Sequence, residues 1–123
     1  MKQKQLTCKE RIWDKWESRR EDLKKLLESP DNYDEELGHL NDYGLSVDFV
    51  EAGTFEGQRE DYICYQLSWG GPADELRFYK NGDIEYWFFD WFDGANIDVT
   101  DDKVAQAIWE HLSGLFPEEA PWF

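Results

Sequence analysis

Asn81-Gly82 constrains this chain more than any other pair of residues, because it separates two runs that read as strands, Leu76 to Lys80 and Ile84 to Trp91. A type I′ hairpin turn needs positive φ at both central positions, and Asn-Gly adopts that conformation readily. An antiparallel hairpin is therefore expected here. In its second strand one face carries Ile84, Tyr86 and Phe88 and the other Glu85, Trp87, Phe89 and Trp91, so both faces are expected to be at least partly covered. The two-residue period extends upstream. Leu45, Val47 and Phe49 alternate with Ser46 and Asp48, a Gly-containing loop runs from Ala52 to Glu60, and Asp61 to Trp69 reads as a strand joined through Gly70-Gly71-Pro72 to Leu76–Lys80.

The flanking segments have helical spacing. Thr7-Cys8-Lys9-Glu10 fits a capping box, and Ile12, Trp16, Leu23, Leu26 and Leu27, with Trp13 beside them, give a helix that runs to about Glu28 and ends before Pro30. A shorter helix is predicted from Asn32 to Asn41, weakened by Gly38 and ending near Gly44. The last helix begins near Thr100 with Asp101 and Asp102 in its first turn and carries Val104, Ile108, Leu112 and Leu115 as one stripe. The expected fold is α+β: N-terminal helices, a four-stranded antiparallel β-meander, and a C-terminal helix packed on the sheet, in a single domain over 1–123.

The charge is segregated along this framework. Through Glu28 there are nine basic and six acidic residues; after it there are four basic residues, Arg59, Arg77, Lys80 and Lys103, against 22 acidic ones. A body with this excess of carboxylate repels itself. Seven Trp, six Tyr and eight Phe can offset that, since each large apolar side chain contributes about 1.5–3 kcal/mol when buried. Anionic membrane surfaces and nucleic acid phosphates are repelled as well, so neither direct nucleic acid binding nor membrane binding is expected. The N-terminal Met1-Lys2-Gln3-Lys4-Gln5 lacks the apolar stretch of a signal peptide, and Cys8 and Cys64 are too few for a disulfide framework; a cytoplasmic protein with free thiols is the expectation.

Catalytic and cofactor motifs are missing from the sequence. His39 and His111 have no metal-ligand spacing around them, and no P-loop, dinucleotide fingerprint or nucleophile elbow occurs. Asp90, Asp93, Asn96, Asp98, Asp101 and Asp102 gather oxygen ligands, but not in EF-hand register. That stretch reads as a β-to-α connection with capping carboxylates, with a calcium site as the alternative. Cys8, at a helix N-terminus beside Lys9 and Arg11, has neighbours that lower a thiol pKa, and Cys64 reads as a small strand residue. No cofactor, no metal and no enzymatic activity are expected.

What remains is the acidic surface. Carboxylates three or four apart on a helix, or two apart on a strand, stand in rows whose spacing is comparable to that of phosphates. The candidate partner-binding residues are Asp34, Glu35, Glu36, Asp48, Glu51, Glu56, Glu60, Asp83, Glu85, Asp90, Trp91 and Asp93. Tyr43-Gly44-Leu45, Glu51–Phe55, Tyr65–Pro72 and Tyr86–Ala95 together resemble a group of small uncharacterised acidic bacterial proteins carried on plasmids and mobile elements, over about 42–95. That resemblance supplies no catalytic residues; it implies a mobile-element setting.

The expected function is that of a DNA-mimic-type inhibitor, anti-CRISPR or anti-restriction, that binds the basic nucleic-acid site of a host defence complex as a monomer or homodimer. The alternatives are a protein-interaction or immunity module using the aromatic fourth strand, and a small metal-dependent hydrolase around Asp90, Asp93 and Asp98.

Overall fold

The computed structural model describes residues 6–115. Met1 to Gln5, with Lys2 and Lys4 of the basic segment, residues 116–123, and the Leu115 side chain of the expected C-terminal stripe lie outside the described residues. Helix α1 spans Cys8–Glu28 and begins with the predicted capping box, the Thr7 hydroxyl accepting the Glu10 N–H while the Glu10 carboxylate accepts the Thr7 N–H. Ser29 closes it, followed by a single 3₁₀ turn, Pro30–Asn32.

The expected second helix is mostly something else. Strands β1 (Tyr33–Asp34) and β2 (Gly38–His39) form a short hairpin, and only Leu40–Tyr43 is helical (α2). The cause is local. Asp34 Oδ1 accepts the N–H groups of both Glu36 and Leu37, a side-chain alternative to helix bonding, and Gly38 sits at φ +81°.

The sheet has five strands rather than four, in the order β3 (Ser46–Val50), β4 (Tyr62–Ser68), β5 (Ala73–Tyr79), β6 (Ile84–Asp90) and β7 (Asp93–Asp98), each antiparallel to its neighbours. Strand β7 occupies what the sequence presents as a β-to-α connection. The β6–β7 turn is Trp91-Phe92, with both residues at positive φ (52° and 60°), as a two-residue type I′ connection requires. Asn81-Gly82 does mark a hairpin, but of a different type. Three residues, Lys80 to Gly82, lie between Tyr79 and Asp83, and of these only Gly82 has positive φ.

Helix α3 (Lys103–Leu115) starts on Asp102, whose carboxylate accepts the Val104 and Ala105 N–H groups. Helices α1 and α3 both cover one face of the sheet. There Ile63, Tyr65, Leu76, Phe78, Tyr86 and Phe88 meet Ile12, Trp16, Leu23 and Leu26 of α1 and Val104, Ile108 and Leu112 of α3 in one core. Trp16 packs on Tyr86 with ring centroids 5.1 Å apart. Trp13, one residue off the apolar stripe, is exposed instead of joining the core.

The basic helix neutralises the body from within. Arg11 pairs with Asp90 at 2.7 Å, Arg19 with Asp74 at 2.7 Å, Arg20 with Asp102 at 2.8 Å and Lys25 with Asp34 at 3.3 Å. Asp74, only 4% exposed, takes both Nε and Nη2 of Arg19 and also accepts the Ser68 and Tyr86 hydroxyls. Burial alone lowers the pKa of Arg19, but the Asp74 bonds outweigh it and hold the guanidinium firmly charged.

Candidate functional site

Among the described residues, the other face of the sheet carries no helix. Strand register places Asp48, Cys64, Arg77, Glu85 and Asp98 opposite one another in a row across all five strands, with Ser46, Gln66, Glu75, Trp87 and Asn96 in the next row. Partners in such a ladder stand about 4.7–4.9 Å apart. Leu67 keeps the core-facing phase of Ile63 and Tyr65, but a bulge in β4 between Gln66 and Ser68 then interrupts the alternation, so that Ser68 reaches Asp74 and Trp69 lines the open face.

Over these rows lies a groove of about 890 Å³. Its floor is Ala73, Glu75, Arg77, Tyr79, Trp87 and Phe89; its walls are the 55–60 loop on one side and Trp69-Gly70 on the other. The floor is tightly organised. The Arg77 guanidinium lies over Trp87 at 3.9 Å and over Tyr62 at 4.6 Å from the ring centroids, while its Nε donates to Glu75 at 2.7 Å. Burial tends to lower the pKa of Arg77, but Glu75 raises it further, so the ion is retained in a half-buried setting. Glu85 Oε1 accepts both the Tyr79 hydroxyl, at 2.7 Å, and the Trp87 indole N–H, at 2.9 Å. Trp87 and Phe89 stack with centroids 5.7 Å apart.

Cys64 faces this side and donates to Glu75 at 3.3 Å; burial, reinforced by the Glu75 charge, pushes its thiol far up and leaves it unreactive. Cys8 is also not the activated thiol its basic neighbours suggest. It is buried, and burial together with Asp93 raises its pKa.

The sequence candidates divide into three groups. Glu56, Glu60, Asp83 and Glu85 come together around the groove. Asp90, Trp91 and Asp93 line an adjoining hollow of about 370 Å³ that shares Gly70 and Phe89 with it. Asp34, Glu35 and Glu36 stand apart on the β1–β2 hairpin, Asp48 faces outward at the sheet edge, and Glu51 begins the long loop.

Several of these carboxylates have internal roles. Asp34 holds its own hairpin and Lys25; the Glu36 and Leu37 N–H bonds together with Lys25 draw its pKa down. Asp90 and Asp93, at the base of the Trp91-Phe92 turn, are tied to α1: Asp90 through Arg11, and Asp93 by accepting the Cys8 N–H at 2.8 Å, the bond that lowers its pKa. The turn is thus gripped from below while Trp91, 76% exposed, and Phe92, fully exposed, project outward.

Sequence reasoning missed Phe55, Trp69, Glu75 and Arg77 as site residues. The signal available for them was the aromatic outer face of β6, which needs a covering. Of the two histidines, His39 accepts the Asn41 N–H and His111 bonds the Asn41 side chain at 2.6 Å, on the helix side. Asp90, Asp93 and Asp98 do not converge, and among the described residues no three metal-ligating side chains do. Among the described residues no helix is long and apolar enough to cross a membrane. No protein-family model, curated protein or solved structure matches the chain.

Proposed function

We propose that this protein is a non-enzymatic inhibitor that binds the basic nucleic-acid site of a larger partner by charge mimicry, the partner being a host defence complex of anti-restriction or anti-CRISPR target type. One observation carries the reading. Four of the seven basic residues of α1, Arg11, Arg19, Arg20 and Lys25, are turned onto Asp90, Asp74, Asp102 and Asp34, so they stabilise the body and leave its outer carboxylates uncompensated. Glu35, Glu36, Glu51, Glu56 and Glu60 are exposed, and among the described residues none of their side chains enters an ion pair. Such a surface attracts a basic groove at long range, and the attraction weakens as salt rises. The choice of a defence complex rests on the resemblance to mobile-element proteins and is an analogy.

The test is capture of the partner at low salt, followed by a competition assay in which the purified partner holds labelled DNA or RNA. Release of the nucleic acid by the wild-type protein, reduced by Glu35→Lys with Glu36→Lys or by Glu51→Lys, is the expected result. A partner that keeps its nucleic acid while bound removes mimicry. Asp34 is left unaltered in this series because its hairpin depends on it.

A second reading, a protein-interaction module built on the aromatic strand, is favoured by the groove itself, since Trp87 and Phe89 of β6 form much of its floor.

A further inference from the structure

We infer that the groove on the helix-free face is the surface that holds the partner, and that its occupant is an arginine-bearing basic peptide segment. This deepens the basic-partner reading above and rests on it. The chemistry is visible in how the groove treats its own arginine. The Arg77 guanidinium lies over two rings, 3.9 Å from the Trp87 centroid and 4.6 Å from the Tyr62 centroid, with Glu75 accepting its Nε–H. Ring, ring and carboxylate is the arrangement that suits a guanidinium, which is planar and weakly hydrated; an ammonium is a compact, strongly hydrated charge.

The same kinds of part recur elsewhere in the groove, and among the described residues no ion pair engages their carboxylates. Trp69 is 78% exposed and Phe55 is also exposed, on opposite walls. Glu85 uses Oε1 for both of its bonds, so Oε2 has no partner among the described residues. The Glu56 and Glu60 carboxylates make no hydrogen bond or ion pair among the described residues, and both line the wall.

Charge selects the class of occupant. Among the described residues, Glu56, Glu60, Glu75, Asp83 and Glu85 share the groove lining with two cations, Arg59 and Arg77, an excess of negative charge that rejects phosphates and favours cations. The exposed aromatics reject a merely hydrated cation, because their burial is the favourable part of binding. The adjoining hollow beneath Trp91 and Phe92 continues the surface past Gly70 and Phe89, giving an extended segment more than one station.

The test uses the full chain and a nona-arginine peptide, with nona-lysine as the comparison, followed by tryptophan fluorescence and calorimetry at two salt concentrations. The wild type is expected to bind nona-arginine at least about fivefold more tightly than nona-lysine, a difference within the range of ring–cation energies. Trp69→Ala, at a position 78% exposed, is expected to leave the melting temperature unchanged and to weaken nona-arginine by about fivefold or more. Glu56→Gln with Glu60→Gln is expected to weaken it more than Asp14→Asn with Glu17→Gln, which removes the same charge from the exposed side of α1.

Equal binding of the two peptides, equal loss in the two charge-matched pairs, or no effect of Trp69→Ala overturns the groove as the arginine site. Absence of nona-arginine binding does the same. In each case the nucleic-acid competition assay still decides the mimicry reading by itself: release of nucleic acid with a failed peptide test sinks the groove alone, and failure of both sinks the basic partner too.

Discussion

Asp74 and Glu75 are neighbours in β5, both are buried (4% and 7% exposed), and each holds an arginine, yet the two pairs do different work because they face opposite sides of the sheet. Arg19 comes from α1, 55 positions away in the chain, so its bond to Asp74 fastens helix to sheet. Arg77 comes from the same strand two residues on, so its bond to Glu75 fastens nothing distant. The helix-side pair is closed over by Tyr43, Ser68 and Tyr86, whereas the open-side pair forms the floor of a groove. Two chemically alike ion pairs, one residue apart, thus separate into a fastener of helix to sheet and the floor of an open groove through the two-residue alternation of a strand.

The comparison is broken most directly by deleting each arginine. Arg19→Ala leaves Asp74 buried without its cation and is expected to destabilise by about 3–5 kcal/mol; Arg77→Ala, which removes charged hydrogen bonding within one strand, by about 1.5–3 kcal/mol. Urea unfolding of both variants measures the difference, and equal losses mean that the open face is as structural as the covered one. Next is Gly44, whose added Cβ would run into the buried Tyr65 ring on the helix side. Gly44→Ala is expected to lose about 1–3 kcal/mol by overpacking, read from the shift in urea midpoint.

The Trp91-Phe92 turn sharpens the contrast in the opposite direction. Bulky residues at positive φ are strained, so Trp91→Asn with Phe92→Gly is expected to raise stability by about 1–2 kcal/mol, seen as a higher melting temperature. An unchanged or lower value shows that the aromatic pair is not held against its preference.

The smallest effect is one of pH and belongs to the helix side. Burial, with a contribution from His39, lowers the pKa of His111 below its ordinary 6.5. The folded form therefore binds this proton less readily than the unfolded chain, and the associated stability is present above about pH 6.5 and declines as pH falls from there toward the lowered folded value. Melting temperatures between pH 8 and 5.5 should fall less in His111→Gln than in the wild type.

Much of this architecture was legible in the residues. The capping box, the apolar stripes of α1 and α3, and the alternation within β6 each state a local preference that the fold agrees with. The failures lie where a tertiary partner reverses a local signal. Asp74-Glu75 lies ahead of the strand expected to begin at Leu76 and is buried strand, because each carboxylate meets an arginine that sequence spacing does not reveal. Trp91-Phe92 has no turn chemistry, so β7 went unseen; Asp90 and Asp93, pinned by Arg11 and the Cys8 N–H, hold the hairpin closed beneath it. Asn81-Gly82 gave the right place and the wrong turn.

The candidate site was half visible. Glu56, Glu60, Asp83 and Glu85 stand out by charge, but the rings and the arginine that give the groove its chemistry come together only through register across three strands, β4, β5 and β6.

The way α1 is packed has a consequence for how the molecule assembles as it is made. The sheet joins each strand to its neighbour in sequence, so those contacts close short loops and can form as the chain lengthens. Helix α1 precedes them all, yet it is buried against β6, β7 and α3, which are synthesised afterwards. Its apolar stripe and its arginines therefore wait, unpartnered, through most of translation, and the last strands to emerge complete the docking. Folding of this domain is timed by its C-terminal half, and a pause in synthesis before β6 prolongs the interval in which a basic amphipathic helix is exposed.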